Sequence, residues 1–326
     1  MFLRTFCFAL TLWLALAPLV NVSAVNFLTG QYESSLMGAA AEHRNFDLYT
    51  NQMDAALQHK LSRLLPHLPL YDGAFIIDVG SGTGAVAAAI ARENPGLMVQ
   101  GIDIQPPMIA HAQSRYSAIE NLHFEQGSGN KPYGINADAV IMAAVLHEIY
   151  SYNEDSLDAV KNALELAYQT LKKGGRIIIK DFARPEDDTR QVRFYHAKSD
   201  VKDRHCFAEF ALGFWQHSRH VPIGSYESTE DYESVETDMA SAYDYMFRKD
   251  YTEDWHAEIK EHYGFIHPRK LIFMLNDVGF KVHVAKFFDN EWILEHRIRG
   301  KVWLKDVKTG EDIPIPKYDM VIVAYK

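Results

Sequence analysis

Hydrophobic and polar positions follow two alternating patterns along residues 74–182. Short apolar runs rich in β-branched residues predict strands, whereas segments of high helix propensity or with apolar residues at helical spacing predict helices. The predicted strands are AFIID at 74–78, LMVQGIDI at 97–104, NLHFEQG at 121–127, ADAVIMAAV at 137–145 and GRIIIKDF at 175–182, with helices at 85–94, 106–119 and 156–172. This alternation predicts an α/β fold built on a doubly wound parallel sheet.

The chain on either side of this region has other patterns. Residues 25–73 contain apolar positions at helical spacing, which predict one or two helices before the first strand. Residues 183–263 are rich in aromatic and acidic residues without strand–helix alternation, and we interpret them as a mostly helical insertion that forms a lid. Residues 264–326 predict a C-terminal helix and strands that complete the sheet: a helix at 268–280, strands at 281–288 and 319–326, and a strand and turn at 301–314.

The first 24 residues form a segment distinct from the rest. One cation, Arg4, precedes an apolar run from Thr5 to Val20, and the segment ends in the small-x-small triplet at 22–24. This pattern is typical of a secretory signal peptide, and the run is shorter than the ~20 residues of a spanning helix. It predicts a secreted or periplasmic protein with no stable membrane insertion after cleavage. Translation from Met37 would instead give a cytoplasmic protein.

Composition and charge narrow the class of partner. The chain has 326 residues, of which 48% are hydrophobic, and a formal net charge of −10. A chain of this length and apolar content can bury a large core, which excludes a disordered protein. Nucleic-acid binding needs a basic surface that releases counterions from phosphates, so the acidic balance argues against a nucleic-acid partner.

Three glycines, Gly80, Gly82 and Gly84, lie between the first predicted strand and the helix after it. Glycine can adopt positive φ, and without a Cβ it lets a ligand approach the N–H groups of a helix start. Gly80, Gly82 and Ala85 also satisfy a loose nicotinamide-binding pattern. Asp78 favours a different ligand, because its carboxylate would oppose a pyrophosphate but suits a cation with an amino group and a sulfonium.

Four segments together resemble a class I S-adenosylmethionine-dependent methyltransferase: DVGSGTG at 78–84, GIDI at 101–104, ADAVIMAAVLHEI at 137–149 and LKKGGRIIIKDF at 171–182. Further along, MLNDVGFKVHVAKFF and DMVIVAYK resemble the last helix and the antiparallel strand pair of that family's seven-stranded sheet. The resemblance implies a Rossmann-like fold with the insertion after the fifth strand, and S-adenosyl-L-methionine as the cofactor.

The resemblance also implies contacts to that cofactor. Asp78, Gly80 and Gly82 would line its methionine part, and Asp103 would accept hydrogen bonds from both ribose hydroxyls. The third strand lacks the acid that many relatives place near the adenine amine, and it offers Gln126, Ser128 or Asn130 instead. The expected cofactor-binding residues are Asp78, Gly80, Ser81, Gly82, Gly84, Asp103, Ile104, Ser128 and Ala143.

The residues after the fourth strand would lie where the cofactor methyl group faces its acceptor. Ala143 and Ala144 would leave room there, and the imidazole of His147 is suited to removing a proton from an attacking oxygen or nitrogen. Glu148 and Asp181 are comparable catalytic candidates. Alternatively, His147 only hydrogen-bonds a neighbouring loop.

The sequence therefore predicts methyl transfer from S-adenosyl-L-methionine to an oxygen or nitrogen of a small-molecule acceptor. One alternative is an NAD(P)-dependent oxidoreductase, in which the glycine turn would hold a pyrophosphate beside Asp78. Another is an S-adenosylmethionine-binding protein without turnover. No metal site is predicted, because the spacing of a histidine-rich stretch does not match a recognised zinc pattern: His205, Glu209, His217 and His220.

Overall fold

The computed structural model describes residues 57–127, 132–201 and 204–326. The predicted signal peptide at 1–24 and the candidate residue Ser128 lie outside the described residues. The chain divides into two compact units. We name them the core unit, made of the described residues within 47–184, 262–290 and 317–326, and the insert unit, made of the described residues within 185–261 and 291–316. Among the helices that can be described, none is both long and apolar enough to cross a bilayer.

Strands and helices alternate in the first part of the core unit, as the sequence predicts. In chain order the elements are α1 (Leu57–Leu64), a 3-10 turn (Leu65–His67), β1 (Phe75–Val79), α2 (Ala85–Glu93), β2 (Met98–Asp103), α3 (Pro106–Arg115), β3 (Leu122–Gln126), β4 (Ala137–Ala143), α4 (Leu146–Ser151), α5 (Leu157–Thr170) and β5 (Leu171–Phe182).

The remaining elements run from the insert unit to the last strand of the core unit. They are β6 (Gln191–Ala197), α6 (Lys198–Val201), α7 (Phe207–Gln216), β7 (Tyr226–Ser228), β8 (Tyr232–Asp238), α8 (Met239–Arg248), α9 (Trp255–Glu258), α10 (Pro268–Val278), β9 (Lys281–Phe288), α11 (Glu291–Ile293), a π-helical turn (Leu294–Ile298), β10 (Val302–Asp306), β11 (Asp312–Ile313) and β12 (Asp319–Tyr325).

The core unit is built on a seven-stranded sheet with the order β3-β2-β1-β4-β5-β12-β9. The pairs from β3 to β5 are parallel, and β12 runs antiparallel to both β5 and β9. The chain therefore reverses its winding between β1 and β4. In such sheets the carboxyl ends of the strands at this switch point form the edge where ligands bind. The predicted doubly wound, Rossmann-like sheet is confirmed.

Successive residues of β1 point to opposite faces of the sheet and into two separate hydrophobic cores. Ile76 packs in a cluster with Leu61, Leu64 and Ile90, so α1 and α2 cover one face. The neighbouring Ile77 packs in a cluster on the other face that includes residues of α5 and α10: Val160, Leu164, Leu271 and Leu275. Burial on both faces explains why these strands are continuous apolar runs rather than alternating ones.

The insert unit contains a second, five-stranded sheet with the order β11-β10-β6-β8-β7 and antiparallel pairing throughout. Residues 183–263 were predicted to form a mostly helical insertion. They do contain the helices α7 and α8, but they also contain the strands β6, β7 and β8, which were not predicted. The predicted strand and turn at 301–314 form the hairpin of β10 and β11, which belongs to the sheet of the insert unit and not to the seven-stranded sheet. It pairs with β6 of the insert unit, because register partners such as Leu304 and Phe194 share a buried face.

Candidate functional site

The glycine turn connects β1 to α2 at the carboxyl edge of the seven-stranded sheet. Gly80, Gly82 and Gly84 all have positive φ, at 70°, 51° and 78°. At Gly80 a side chain is also excluded by the protein itself, since a Cβ atom would lie 2.4 Å from Cγ2 of Val145. The requirement for glycine at this position therefore comes from backbone conformation and close packing between the turn and the residues after β4.

Asp103 ends β2 and is held in place by the glycine turn. Its Oδ2 atom accepts a hydrogen bond of 2.8 Å from the backbone N–H of Gly82, and its Oδ1 atom accepts one of 2.9 Å from Gln105. The side chain is buried. A carboxylate oxygen can accept more than one hydrogen bond, so both oxygens keep acceptor capacity in a fixed orientation. This geometry suits two neighbouring hydroxyl donors, as predicted for a ribose.

Asp78 lies at the end of β1 and is only 2% exposed. Burial raises the pKa of this carboxyl to about 7; the Asp103 carboxylate also raises it, whereas the Lys60 ammonium lowers it. Oδ2 of Asp78 and Oγ of Ser81 are buried and have no hydrogen-bond partner among the described residues. Leaving buried polar atoms unpaired costs free energy, so these two atoms mark a place prepared for a hydrogen-bonding, positively charged group.

The other predicted cofactor residues surround this turn along the carboxyl edge. Ile104 follows Asp103 directly and is 68% exposed, an unusual position for a large apolar side chain. Ala143 ends β4 and is followed by Ala144 at a positive φ of 58°. Gln126 at the end of β3 donates a hydrogen bond of 3.2 Å from Nε2 to the carbonyl of Ile104. An exposed apolar surface and an amide thus meet beside Asp103.

His147 and Asp181 form a buried pair at the carboxyl ends of β4 and β5. Nδ1 of His147 lies 2.8 Å from Oδ1 of Asp181, and Oδ2 of Asp181 accepts a hydrogen bond of 2.9 Å from the backbone N–H of Leu146. Burial by itself would raise the pKa of Asp181, but the charge and hydrogen bond of His147 outweigh it and hold that pKa below its usual range. The ionised carboxylate fixes the proton on Nδ1 and orients the ring.

Two aromatic rings pack against this histidine. Phe182 and Tyr263 stack on each other with 4.2 Å between ring centroids, and each meets the His147 ring edge-on, at 5.0 Å and 5.6 Å. Together with Asp181 they hold the imidazole in one orientation. Glu148 is half-buried next to His147, and the structure therefore brings all three predicted catalytic residues to the same edge as the glycine turn.

Four charged or polar residues at this edge were missed by the sequence analysis. Asp319, at the start of β12, accepts a bond of 2.8 Å from Nζ of Lys180 and lies 2.8 Å from Nε2 of His59. Lys60 follows His59 on α1, and its ammonium interacts electrostatically with Asp78, Glu148 and Asp181. A lysine inside the apolar stripe of α1 was the available signal, because such a position normally holds a hydrophobic residue.

Comparison with known proteins finds related sequences. A family described as the O-methyltransferase domain matches residues 16–201. Demethylmenaquinone methyltransferase of Tropheryma whipplei (strain Twist) is 32% identical over 114 residues, which cover 35% of this chain and 44% of the relative. Tabersonine 16-O-methyltransferase of Catharanthus roseus is 29% identical over 153 residues, covering 46% of this chain and 40% of the relative. The chain thus spans less than half the length of these curated relatives.

A solved structure with a similar arrangement is the O-methyltransferase family 2 protein from Planctomyces limnophilus DSM 3776, in complex with apigenin. It is 12% identical to this chain with a TM-score of 0.47, and the alignment covers 86% of this chain and 62% of that protein.

Proposed function

Because the chain belongs to the O-methyltransferase domain family, within the class I S-adenosylmethionine-dependent methyltransferases, we propose that it is an enzyme that methylates an oxygen or nitrogen of a small molecule. The observation that carries the proposal is that one edge of the sheet holds both a buried carboxylate suited to a cation and a histidine held in one orientation. These are Asp78 at the end of β1 and His147 beside Asp181.

S-adenosyl-L-methionine, when bound, supplies a methyl group on a positively charged sulfur. Asp78 and Ser81 offer the unpaired oxygens that would receive the amino group of its methionine part. The Asp103 carboxylate, fixed by Gly82 and Gln105, would receive the ribose hydroxyls. Ile104 would present its exposed side chain to the adenine. Each of these assignments agrees with the charge and hydrogen-bonding capacity of the side chain involved.

His147 would act as the general base on the acceptor. Its Nδ1–H group would donate a hydrogen bond to the ionised Asp181 and keep its proton, so that Nε2 carries the lone pair and is the nitrogen able to accept a proton. As a proton moves to Nε2, the imidazolium is stabilised by the carboxylate 2.8 Å from Nδ1. The role of Asp181 is therefore to position the histidine and to balance its charge.

The nicotinamide alternative is less consistent with the site. A pyrophosphate at the start of α2 would lie beside Asp78 and Asp103, and the Asp103 carboxylate already raises the pKa of Asp78. A cationic ligand relieves this repulsion, whereas a dianionic one increases it.

Calorimetry with S-adenosylhomocysteine and, separately, with NAD on the same preparation tests the proposal. We expect binding of S-adenosylhomocysteine and none of NAD; the reverse result would overturn the methyltransferase assignment. Turnover is then measured on a panel of phenols, carboxylic acids and amines by release of S-adenosylhomocysteine. Tight binding without turnover on any acceptor class would favour a binding protein instead.

A further inference from the structure

Lys60 lies on the inner face of α1, which is otherwise apolar. Leu57, Leu61 and Leu64 share this face at helical spacing, and the last two are buried against the core of the sheet. The next residue back, His59, lies 2.8 Å from Oδ2 of Asp319, whose register partner on β5 is Phe182. These contacts fix the helix beside the carboxyl ends of the central strands, where the cofactor is proposed to bind.

The ammonium of Lys60 experiences the charges of three acidic side chains from the carboxyl edge of the sheet. It interacts electrostatically with Asp78 near the end of β1, with Glu148 on α4 and with Asp181 on β5. Burial, and next the Lys180 ammonium, hold the pKa of Lys60 below its usual range. The Lys60 side chain is half-buried, and taking a cation out of water is costly unless an anion approaches it.

Lys60 and Lys180 differ in how their charges are balanced. Nζ of Lys180 donates a hydrogen bond of 2.8 Å to Oδ1 of Asp319, so this charge is paired within the protein. Lys60 makes no hydrogen bond or ion pair with any residue in the described part of the chain. The Lys60 ammonium and Oδ2 of Asp78 are therefore a cation and a carboxylate oxygen at the same edge of the sheet that have no hydrogen-bond or ion-pair partner among the described residues.

We propose that Lys60 binds the carboxylate of the methionine part of the cofactor, while Asp78 binds its amino group. The proposal rests on the proposed function, since it assigns a residue to that cofactor. An α-amino acid carries an ammonium and a carboxylate on one carbon. A site that takes it out of water must therefore place an anion near the ammonium and a cation near the carboxylate. Lys60 supplies the charge that the glycine turn and Asp78 lack.

The test compares two ligands that both carry the ammonium but of which only one carries the carboxylate, so that the contact of Lys60 is measured apart from that of Asp78. Calorimetry compares S-adenosylhomocysteine with 5′-deoxy-5′-(3-aminopropylthio)adenosine, its decarboxylated analogue, which keeps the amino group. Lys60→Met should weaken S-adenosylhomocysteine by about 10- to 100-fold, the loss of a charge-assisted bond, and change the analogue by less than about twofold. Lys60→Arg should retain most of the affinity. A pH of about 8.5 keeps Asp78 ionised, so its titration does not enter.

Lys173→Met is the matched control, because Lys173 is an exposed lysine of the same unit; both ligands should bind it as they bind the wild type. Asp78→Asn should weaken both ligands. An equal loss of both ligands in Lys60→Met, or no loss of either, overturns the role of Lys60. Failure of the wild-type protein to bind S-adenosylhomocysteine would overturn the proposed function itself, and the two failures are therefore distinguishable. Circular dichroism melting confirms that each variant is folded.

Discussion

Nδ1 of His147 and Oδ1 of Asp181 lie 2.8 Å apart in a pair that is almost completely buried. The aspartate belongs to β5 and the histidine to α4, so the pair joins two neighbouring βα connections. Backbone N–H groups of Leu146 and Phe182 occupy further acceptor positions of the same carboxylate. The pair is held from both sides and has little freedom to reorient.

Replacing either member of this pair should remove the same catalytic contribution. We expect Asp181→Asn and His147→Gln each to lower kcat by about 10²- to 10⁴-fold, as for loss of a general base, and the double variant to lose no more than the worse single one. Asp181→Asn should also lower the free energy of unfolding by about 1–3 kcal/mol, because its amide N–H₂ would face a backbone donor. Single-turnover kinetics and urea unfolding measure the two effects. Independent, additive losses in kcat would argue that the residues do not act as one unit.

Binding of S-adenosylhomocysteine should strengthen as pH rises through the pKa of Asp78, which is about 7 in the absence of ligand. The ammonium of the ligand interacts favourably only with the ionised carboxylate. Affinity should therefore increase by up to about tenfold per pH unit below pH 7 and level off above about pH 8. Calorimetry across this range checks the slope. Two controls should lack this slope: 5′-methylthioadenosine, which has no amino-acid part and therefore no ammonium, and S-adenosylhomocysteine with Asp78→Asn. A flat profile in the wild type contradicts the assignment.

The same carboxyl should make the protein less stable at alkaline pH. Its pKa is raised in the folded state from 3.8 to about 7, so the folded protein binds this proton more tightly than the unfolded chain. The Asp78 carboxyl thus makes its full stabilising contribution to the free energy of unfolding below about pH 4, and this contribution is lost as pH rises to about 7. Asp78→Asn should be more stable than the wild type by a few kcal/mol at about pH 8, with little difference at about pH 4. Urea unfolding at both pH values tests the sign, and a variant that is less stable at pH 8 would refute it.

Asp103 should contribute strongly to cofactor affinity. Asp103→Ala removes acceptors for the ribose and releases the Gly82 N–H, and we expect S-adenosylhomocysteine to bind about 2–4 kcal/mol more weakly, a loss of tens to hundreds of fold. 2′-Deoxyadenosine analogues, which lack one hydroxyl, should lose less on the same substitution. Equal losses for ribose and deoxyribose ligands would show that Asp103 serves only the turn.

Two glycines allow backbone strain and close packing to be measured separately. Gly80 and Gly174 have similar positive φ values, 70° and 78°, but a Cβ at Gly174 would meet no atom within 4 Å. Gly174→Ala should therefore cost only the strain of the left-handed conformation, about 1–2 kcal/mol. Gly80→Ala should cost more, and Val145→Ala in the same chain should recover part of the excess, because Val145 supplies the clashing atoms. Equal costs at the two sites would show that the turn can shift away from Val145.

The parts of the site that were predictable depend on residues close together in the sequence. The turn from Gly80 to Gly84, the acid at 103 and the strands around them follow from local periodicity and from the rule that parallel strands end at one edge. His59, Lys60 and Asp319 were not predictable in the same way. They reach the site from a helix before β1 and from a strand more than 200 residues later, and nothing in their local sequence indicates that they meet.

The insert sheet was missed for a related reason. In β6, Val192, Phe194 and His196 alternate with more exposed residues, which is a strand pattern. The aromatic and acidic composition around it obscured that alternation. Its partner β10 begins at Val302, so the pairing that stabilises it is far away along the chain. A period-two count over 191–197 would have identified β6, although not its partner.

The order of the strands along the chain also determines when each sheet can be completed during synthesis. β9 lies at the edge of the seven-stranded sheet and pairs with β12, while β6 pairs with β10 in the other sheet. A growing chain can assemble the parallel strands from β1 to β5 early, but residues beyond 300 must leave the ribosome before either sheet is complete. Until then the edge of β5 stays open to strands of other chains, which makes slow translation of the last segment a period of risk for aggregation.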